Sequence, residues 1–335
     1  MSILVIKPGV SGTVQDAGRK GHRSEGVPLS GAMDPMSFAR ANLLCGNRLD
    51  DAGLEVTLHG MELLFEEDIL VAMSGGGSIP AIDGTRLPSD RPLWVKAGSL
   101  LRFLPSPSGC RMYLAVGGGI LAQNDLGSRS TYEPAGLGGI GGRRLQKGDR
   151  LQRQQTNALH KRIAVSLKND EGSHLTGRWG ASVAESGSMP SPGTVRCLRG
   201  PEWDRSGEGM RDSLFRKDFT VAKDSNRMGI RLTNPGMERL EFPEMVSSGV
   251  SPGTIQMAHD GTLLLLMADA QTTGGYPRIA HVAGADIARC AQLRPGDTVR
   301  FIETSLLEAE LALLQSWRDL RILSHAIREA FERED

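Results

Sequence analysis

The apolar runs of this chain are short, and glycine or proline cuts each of them off. MELLFEEDILVAMSG (61–75), SLLRFLP (99–105) and RMYLAVGGG (111–119) are typical, in a chain of 335 residues carrying 42 glycines and 17 prolines. Brief apolar segments bounded by turn formers make strands joined by tight turns, not a bundle of long helices. A turn plan also recurs: VKAGSLLRF from 95, LQKGDRLQ from 145 and LRPGDTVRF from 293 each run from a polar, Gly-containing turn into alternating residues. That recurrence predicts two related all-β halves. SGGG at 74 and GGG at 117 read as tight barrel corners.

Between the halves, 156–193 is polar and rich in Ser, Gly and Pro, and is read as a linker or long loop. Two segments break the β rhythm. In DPMSFARANLLCGN, Asp34 suits the N-cap, Pro35 the first helical position and Gly46 the exit, so a helix of about three turns is expected. The segment 304–335 opens with the capping box Ser305-x-x-Glu308 and carries Leu307, Leu311 and Leu314 at helical spacing, which predicts a helix packed on the barrel before it or on a partner.

Composition sets the class. With 39% hydrophobic and 23% charged residues the chain can fill two ordinary cores. Lys+Arg and Asp+Glu both number 39, so no overall field favours nucleic acid or an anionic membrane. Cys45, Cys110, Cys197 and Cys290 lie far apart, without the CxxC spacing of a zinc site, and read as reduced, buried thiols. The opening MSILVIKPGV is too short for a signal peptide, and no window reaches the roughly 20 apolar residues of a membrane span, so a cytoplasmic location is expected.

Familiar catalytic motifs fail on their context. GVSPG (249–253) fits GxSxG, but Pro252 lacks the N–H an oxyanion hole needs, and TIQM continues as strand. GLGGIG (136–141) matches GxGxxG without a strand before it or a helix after it. There is no P-loop, and the seven histidines show no metal spacing; His22, His59 and His281 stand isolated.

What remains are polar clusters richer than turns require. TVQDAGRKG offers Gln15, Asp16 and Arg19; GSRSTYEP offers Ser128, Arg129, Ser130 and Thr131; DSNRMGIRL offers Asn226 and Arg227. DAQTTGGYPRIA gathers Asp269, Gln271, Thr272, Thr273, Gly274, Gly275 and Tyr276. A planar guanidinium binds phosphate or carboxylate bidentately, amides and hydroxyls surround a small polar ligand, and paired glycines let backbone approach it.

TVQDAGRKGHRSEGVPLSGAMD, ANLLCGN, LGSRSTYEPAGLGGIGGR, SNRMGIRL and DAQTTGGYPRIA, in that order, resemble the 5-oxoprolinase C-subunit family, which also embraces the carboxyltransferase domain of urea carboxylase and the antagonist of a kinase inhibitor. The resemblance runs from about Pro8 to about Phe301. It implies a mainly β fold of two cyclophilin-like β-barrel domains, 1–155 and 194–303, with a C-terminal α-helix at 304–335. It further implies action beside subunits B and A in opening 5-oxoproline to glutamate at the expense of ATP, which this chain or a partner would bind. On that basis Asp16, Arg129, Arg227 and Asp269 are the candidate catalytic residues. Gln15, Arg19, Ser128, Ser130, Thr131, Asn226, Gln271, Thr272, Thr273, Gly274, Gly275 and Tyr276 are the candidate substrate contacts. No metal is expected. Two other readings stand beside it: carboxyl transfer from carboxybiotin to urea or a related amide, and a non-catalytic antagonist. Arg129 and Arg227 could instead pin loops, and Asp269 could cap its own turn.

Overall fold

The computed structural model describes residues 2–167, 174–177, 179–181, 193–234 and 245–332. It is mainly β, and it divides into two compact units. The first comprises Met1–Arg19, Asp34–Val183 and Arg318–Asp335; the second comprises Lys20–Met33 and Ala184–Trp317. Residues 20–33, expected within the first domain, therefore belong to the second unit. The last part of the terminal helix belongs to the first.

Two sheets build the first unit. The seven-stranded sheet runs, in spatial order, Ile120–Leu121, Arg150–Arg153, Ser2–Pro8, Met61–Phe65, Leu100–Pro105, Ser78–Ile82 and Thr85–Arg86. The six-stranded sheet runs His174–Thr176, Pro92–Val95, Ile69–Gly75, Arg111–Val116, Gly53–Thr57 and Ser11–Gln15. Alternate residues of both, among them Val5, Leu63 and Phe103 from one and Val56, Val71 and Leu114 from the other, fill a common core. In the second unit seven strands close into a barrel, in the order Thr194–Arg199, Arg278–Val282, Thr254–Met257, Leu263–Leu266, Gly229–Thr233, Asp218–Val221 and Thr298–Glu303. Phe219 and Phe301 meet inside it with ring centroids 5.8 Å apart.

The recurrent turn is one device used three times. Ser99, Asp149 and Asp297 each donate their N–H to the carbonyl three residues back, at 3.2, 3.2 and 3.0 Å, around Gly98, Gly148 and Gly296, whose φ values are 83, 93 and 91°. Each turn also clasps one residue of another strand. Gly98 N–H donates to Phe65 O and Phe65 N–H to Ser99 O; Val5 stands in the same relation to Gly148 and Asp149, and Val221 to Gly296 and Asp297. Positive φ at the third turn position makes glycine the residue of choice there.

The helix at Pro35–Leu44 starts as read, with the Asp34 carboxylate accepting from Ser37 N at 2.9 Å and Gly46 leaving at φ 70°. The expected linker is more structured than its composition suggests. It carries a helix at Ala158–Leu167 and the strand His174–Thr176, which joins the six-stranded sheet; 168–173, 178 and 182–192 lie outside the described residues. Asn157 Oδ1 accepts from His160 N at 2.8 Å, and Ile163, Ala164 and Leu167 are buried at helical spacing.

The terminal helix, Leu306–Glu332, opens on the capping box: Glu308 accepts from Ser305 N at 2.9 Å, and Ser305 Oγ from Glu308 N at 3.2 Å. Its packed side differs from the expected stripe. Ala309, Leu320 and Ile327 are buried, whereas Leu307, Leu311 and Leu314 are 65, 56 and 59% exposed. Apolar residues stand on both sides of the first turns, so periodicity alone selects neither side. The four cysteines are buried and form no disulfide, and burial pushes the thiols of Cys45, Cys197 and Cys290 up. Among the described residues no helix is long and apolar enough to cross a membrane, and no cluster of His, Cys, Asp or Glu could hold a metal ion.

Candidate functional site

In the first unit the predicted residues converge on one carboxylate. Asp16 Oδ1 accepts from Gly18 N at 2.9 Å, Ser128 Oγ at 2.7 Å and Ser130 Oγ at 2.5 Å, while Oδ2 accepts from Arg129 N at 2.5 Å. Four donors occupy its acceptor positions. Arg19, wholly buried, donates Nε to Asp125 O and Nη2 to Ser130 O, both at 2.9 Å. Gln15 spans Thr13 Oγ1 and Thr131 O through Nε2, and Thr131 donates both N–H and hydroxyl to Val14 O. All of these side chains are buried.

The glycine run behind this segment is shaped by it. Gly138 and Gly139 adopt φ values of 64 and 59°, and a Cβ on them would meet Ser130 O at 2.2 Å and Thr131 Oγ1 at 2.0 Å. GLGGIG is thus backing for the Ser128–Thr131 loop. The group this construction leaves partly open is Arg129. Its N–H and carbonyl are fixed by Asp16 and by Gly139 N, while its Nε is buried without a hydrogen-bond partner. Its charge reaches Asp51, whose carboxyl burial pushes up, against a hydrogen bond from the Arg48 amide and the Arg48 and Arg129 charges.

The second unit gathers the other candidates. Arg227 grips Asp269 with Nε to Oδ2 at 2.8 Å and Nη2 to Oδ1 at 3.1 Å, and Nη2 also reaches Gly31 O at 2.6 Å. The Asp269 N–H returns to Arg227 O at 2.9 Å. Arg227, expected to hold an anion, already holds a buried carboxylate and a carbonyl, and so pins the loops at 31, 227 and 269. Asn226 folds its Oδ1 onto Met228 N at 2.8 Å and is otherwise exposed.

The residues after Asp269 form an open strap. Thr273–Gly274 pairs with Ser248–Gly249, and Val250 N donates to Thr272 O at 3.0 Å. Gln271, Thr273, Gly275 and Tyr276 are exposed, and Thr272 and Gly274 half-buried. Tyr276 lies edge-on to His259, with centroids 5.9 Å apart.

Sequence reading passed over two neighbours of the strap, Gln256 and Arg278, and over His281 farther along the barrel strand Arg278–Val282. Gln256, fully buried on the strand beneath, donates Nε2 to Tyr276 O at 3.0 Å. Arg278 is clamped by Glu202 at 2.9 and 2.6 Å and donates Nη1 to Gly249 O at 3.0 Å. His281, set aside as isolated, has Nδ1 3.4 Å from Thr254 Oγ1, and burial holds its pKa below the usual histidine value. The available signal was Gln256 between the apolar Ile255 and Met257 in TIQM.

These features define a class: a mainly β, two-unit protein whose polar clusters rest on glycine loops and strand ends, with amide, hydroxyl and guanidinium groups and no metal cluster among the described residues. The chain belongs to the family described as "Carboxyltransferase domain, subdomain A and B", whose family model matches residues 25–303. It is 36% identical over 307 residues to the C subunit of 5-oxoprolinase from Escherichia coli, covering 92% of this chain and 93% of that one. To the protein of the same name in Haemophilus influenzae it is 33% identical over 303 residues, with 89% of each covered. The solved urea carboxylase of Kluyveromyces lactis superposes with a TM-score of 0.83 at 29% identity, over 96% of this chain and 29% of that larger one.

Proposed function

We propose that this chain is the C subunit of an ATP-dependent 5-oxoprolinase, acting in the cytoplasm with subunits A and B to open 5-oxoproline to L-glutamate. The observation that carries the reading is similarity over about nine-tenths of both chains to two proteins of that name. The urea amidolyase of Saccharomyces cerevisiae also shares 31% identity, but this chain spans 18% of its length.

A lactam carbonyl is a poor electrophile, because amide resonance feeds it electrons. Coupling to ATP supplies the activation: its terminal phosphoryl group passes to the lactam oxygen and ADP leaves. Water adds to the ring carbon, the ring C–N bond breaks, and a second water releases phosphate, giving glutamate. What such a site asks of protein side chains is a cation for phosphate or developing oxyanion, and polar groups that orient the ring. Arg129 fits the first demand, since its backbone is fixed and its Nε is uncommitted. In the second unit, taken by itself, the strap from Gln271 to Tyr276 offers amide, hydroxyl and phenol groups to a small polar ligand. Asp16 and Asp269 act by holding Arg129 and Arg227 in place.

The test is ATP-dependent glutamate release from 5-oxoproline by the three reconstituted subunits, with this chain wild type, omitted, or carrying Arg129→Ala. Release that needs the chain and falls at least about a hundredfold with the substitution supports the reading. No release in any mixture, with urea-dependent ATP turnover on adding a biotinylated carrier, overturns it in favour of carboxyl transfer.

A further inference from the structure

Gln256 stands in the second-unit strand Thr254–Met257, between Ile255 and Met257, which both face the barrel core. Strand alternation turns its side chain the other way, beneath the strap. It is fully buried, and its amide orientation is set by chemistry: Tyr276 O can only accept, so the group 3.0 Å from it is Nε2. Oε1 is left on the opposite side, buried and without a hydrogen-bond partner. Burying an unpaired acceptor costs stability, and such groups call for a specific explanation.

Gly274 lies directly against this amide. A Cβ there would stand 2.6 Å from Nε2 and 3.1 Å from Oε1, so no other residue fits without displacing Gln256. The cover itself is slight, since Thr273–Gly274 is tied to Ser248–Gly249 by a two-residue ladder.

Building on the lactam reading above, we propose that Gln256 Oε1 is the acceptor for the ring N–H of a lactam substrate, reached when the Gly274–Gly275 strap parts. A lactam N–H is a lone neutral donor, and its match is a lone neutral acceptor. A carboxylate there would instead select a cation. A site built to pair an N–H discriminates against an analogue without one, because the protein group is then left unpaired.

The test is calorimetric binding of 5-oxoproline and of its N-methyl derivative to the assembled complex, alongside KM and kcat for the parent compound. Wild-type complex is expected to bind the N-methyl compound at least about tenfold more weakly. Gln256→Met keeps the side chain's length and removes the acceptor together with the Nε2 bond to Tyr276 O, a loss both compounds share; it is expected to weaken 5-oxoproline, chiefly in KM, about tenfold more than the N-methyl compound. Gly274→Ala, which intrudes on the same amide, is expected to weaken 5-oxoproline similarly. Equal binding of the two compounds by wild type, or equal losses for both in Gln256→Met, overturns the assignment while leaving 5-oxoproline as substrate. Failure of wild-type complex to bind or turn over 5-oxoproline overturns the lactam reading, and this assignment with it.

Discussion

Gly139 lies so close to Thr131 that a Cβ on it would stand 2.0 Å from the Thr131 hydroxyl oxygen, and its φ of 59° disfavours any side chain independently. Gly139→Ala is therefore expected to destabilise the first unit by about 3 kcal/mol, combining backbone strain with overpacking. Gly141 has φ 64° with nothing within 4 Å of its Cβ position, so Gly141→Ala should lose only about 1 kcal/mol. Denaturant unfolding of the two variants reads the difference. Equal losses would show that contact with the Ser128–Thr131 loop is not what demands glycine.

Asp16 takes four donors from Gly18, Ser128, Arg129 and Ser130 in a buried setting. Asp16→Ala strands all four neutral donors, and an expected loss of about 3–5 kcal/mol follows from leaving several buried donors unpaired. Hydrogen exchange at the Arg129 amide, which donates to Oδ2, should accelerate in step. Unchanged exchange there would mean that the loop holds its shape without the carboxylate.

Arg227 and Asp269 form a pair that a double-mutant cycle can isolate. Arg227→Ala leaves the buried Asp269 carboxylate uncompensated and is expected to lose about 3–5 kcal/mol, while Asp269→Ala leaves a partly exposed guanidinium and should lose less. Arg227→Ala/Asp269→Ala removes both charges and should lose clearly less than the sum of the singles. Additive losses would mean that Arg227 is held by Gly31 O and not by the carboxylate.

The parts of this architecture that were legible in the sequence are those governed by near neighbours. Gly98, Gly148 and Gly296 mark their turns because the φ they need belongs to one residue type, and Asp34 and Ser305 cap helices within three residues of themselves. The partners of the site residues lie far along the chain. Arg227 meets a carboxylate 42 residues on, and Gln256 a carbonyl 20 residues on. No local pattern distinguishes an arginine waiting for an anion from one already holding Asp269. The helix at Ala158–Leu167 was obscured differently: its Asn157 cap and its Ile163–Leu167 spacing were present, inside a segment whose Ser, Gly and Pro content argued for a linker.

His281 makes stability depend on pH in a definite direction. Burial lowers its pKa in the folded chain, so below the unfolded value of about 6.5 the unfolded state binds more protons than the native one. Stability from this residue is complete above the unfolded value of about 6.5 and is lost as pH falls from there through the lower folded value. His281→Gln should flatten that part of the second unit's stability profile, followed by thermal unfolding between pH 5 and 8. An unchanged slope would assign the acid sensitivity to other groups.

The terminal helix supplies a contrast between two leucines nine residues apart in one element. Leu311 is 56% exposed and Leu320 5% exposed, although Leu311 lies in the apolar run LALL and Leu320 between Asp319 and Arg321. Leu320→Ala empties packed space and is expected to lose about 2–4 kcal/mol. Leu311→Glu replaces a side chain already in water and should change the stability of the isolated chain by less than about 0.5 kcal/mol. Thermal unfolding of the two purified variants decides the matter. A large loss from Leu311→Glu would mean that the Leu307, Leu311 and Leu314 side of the helix is covered in solution, and the oligomeric state of that sample would then show whether a second copy covers it.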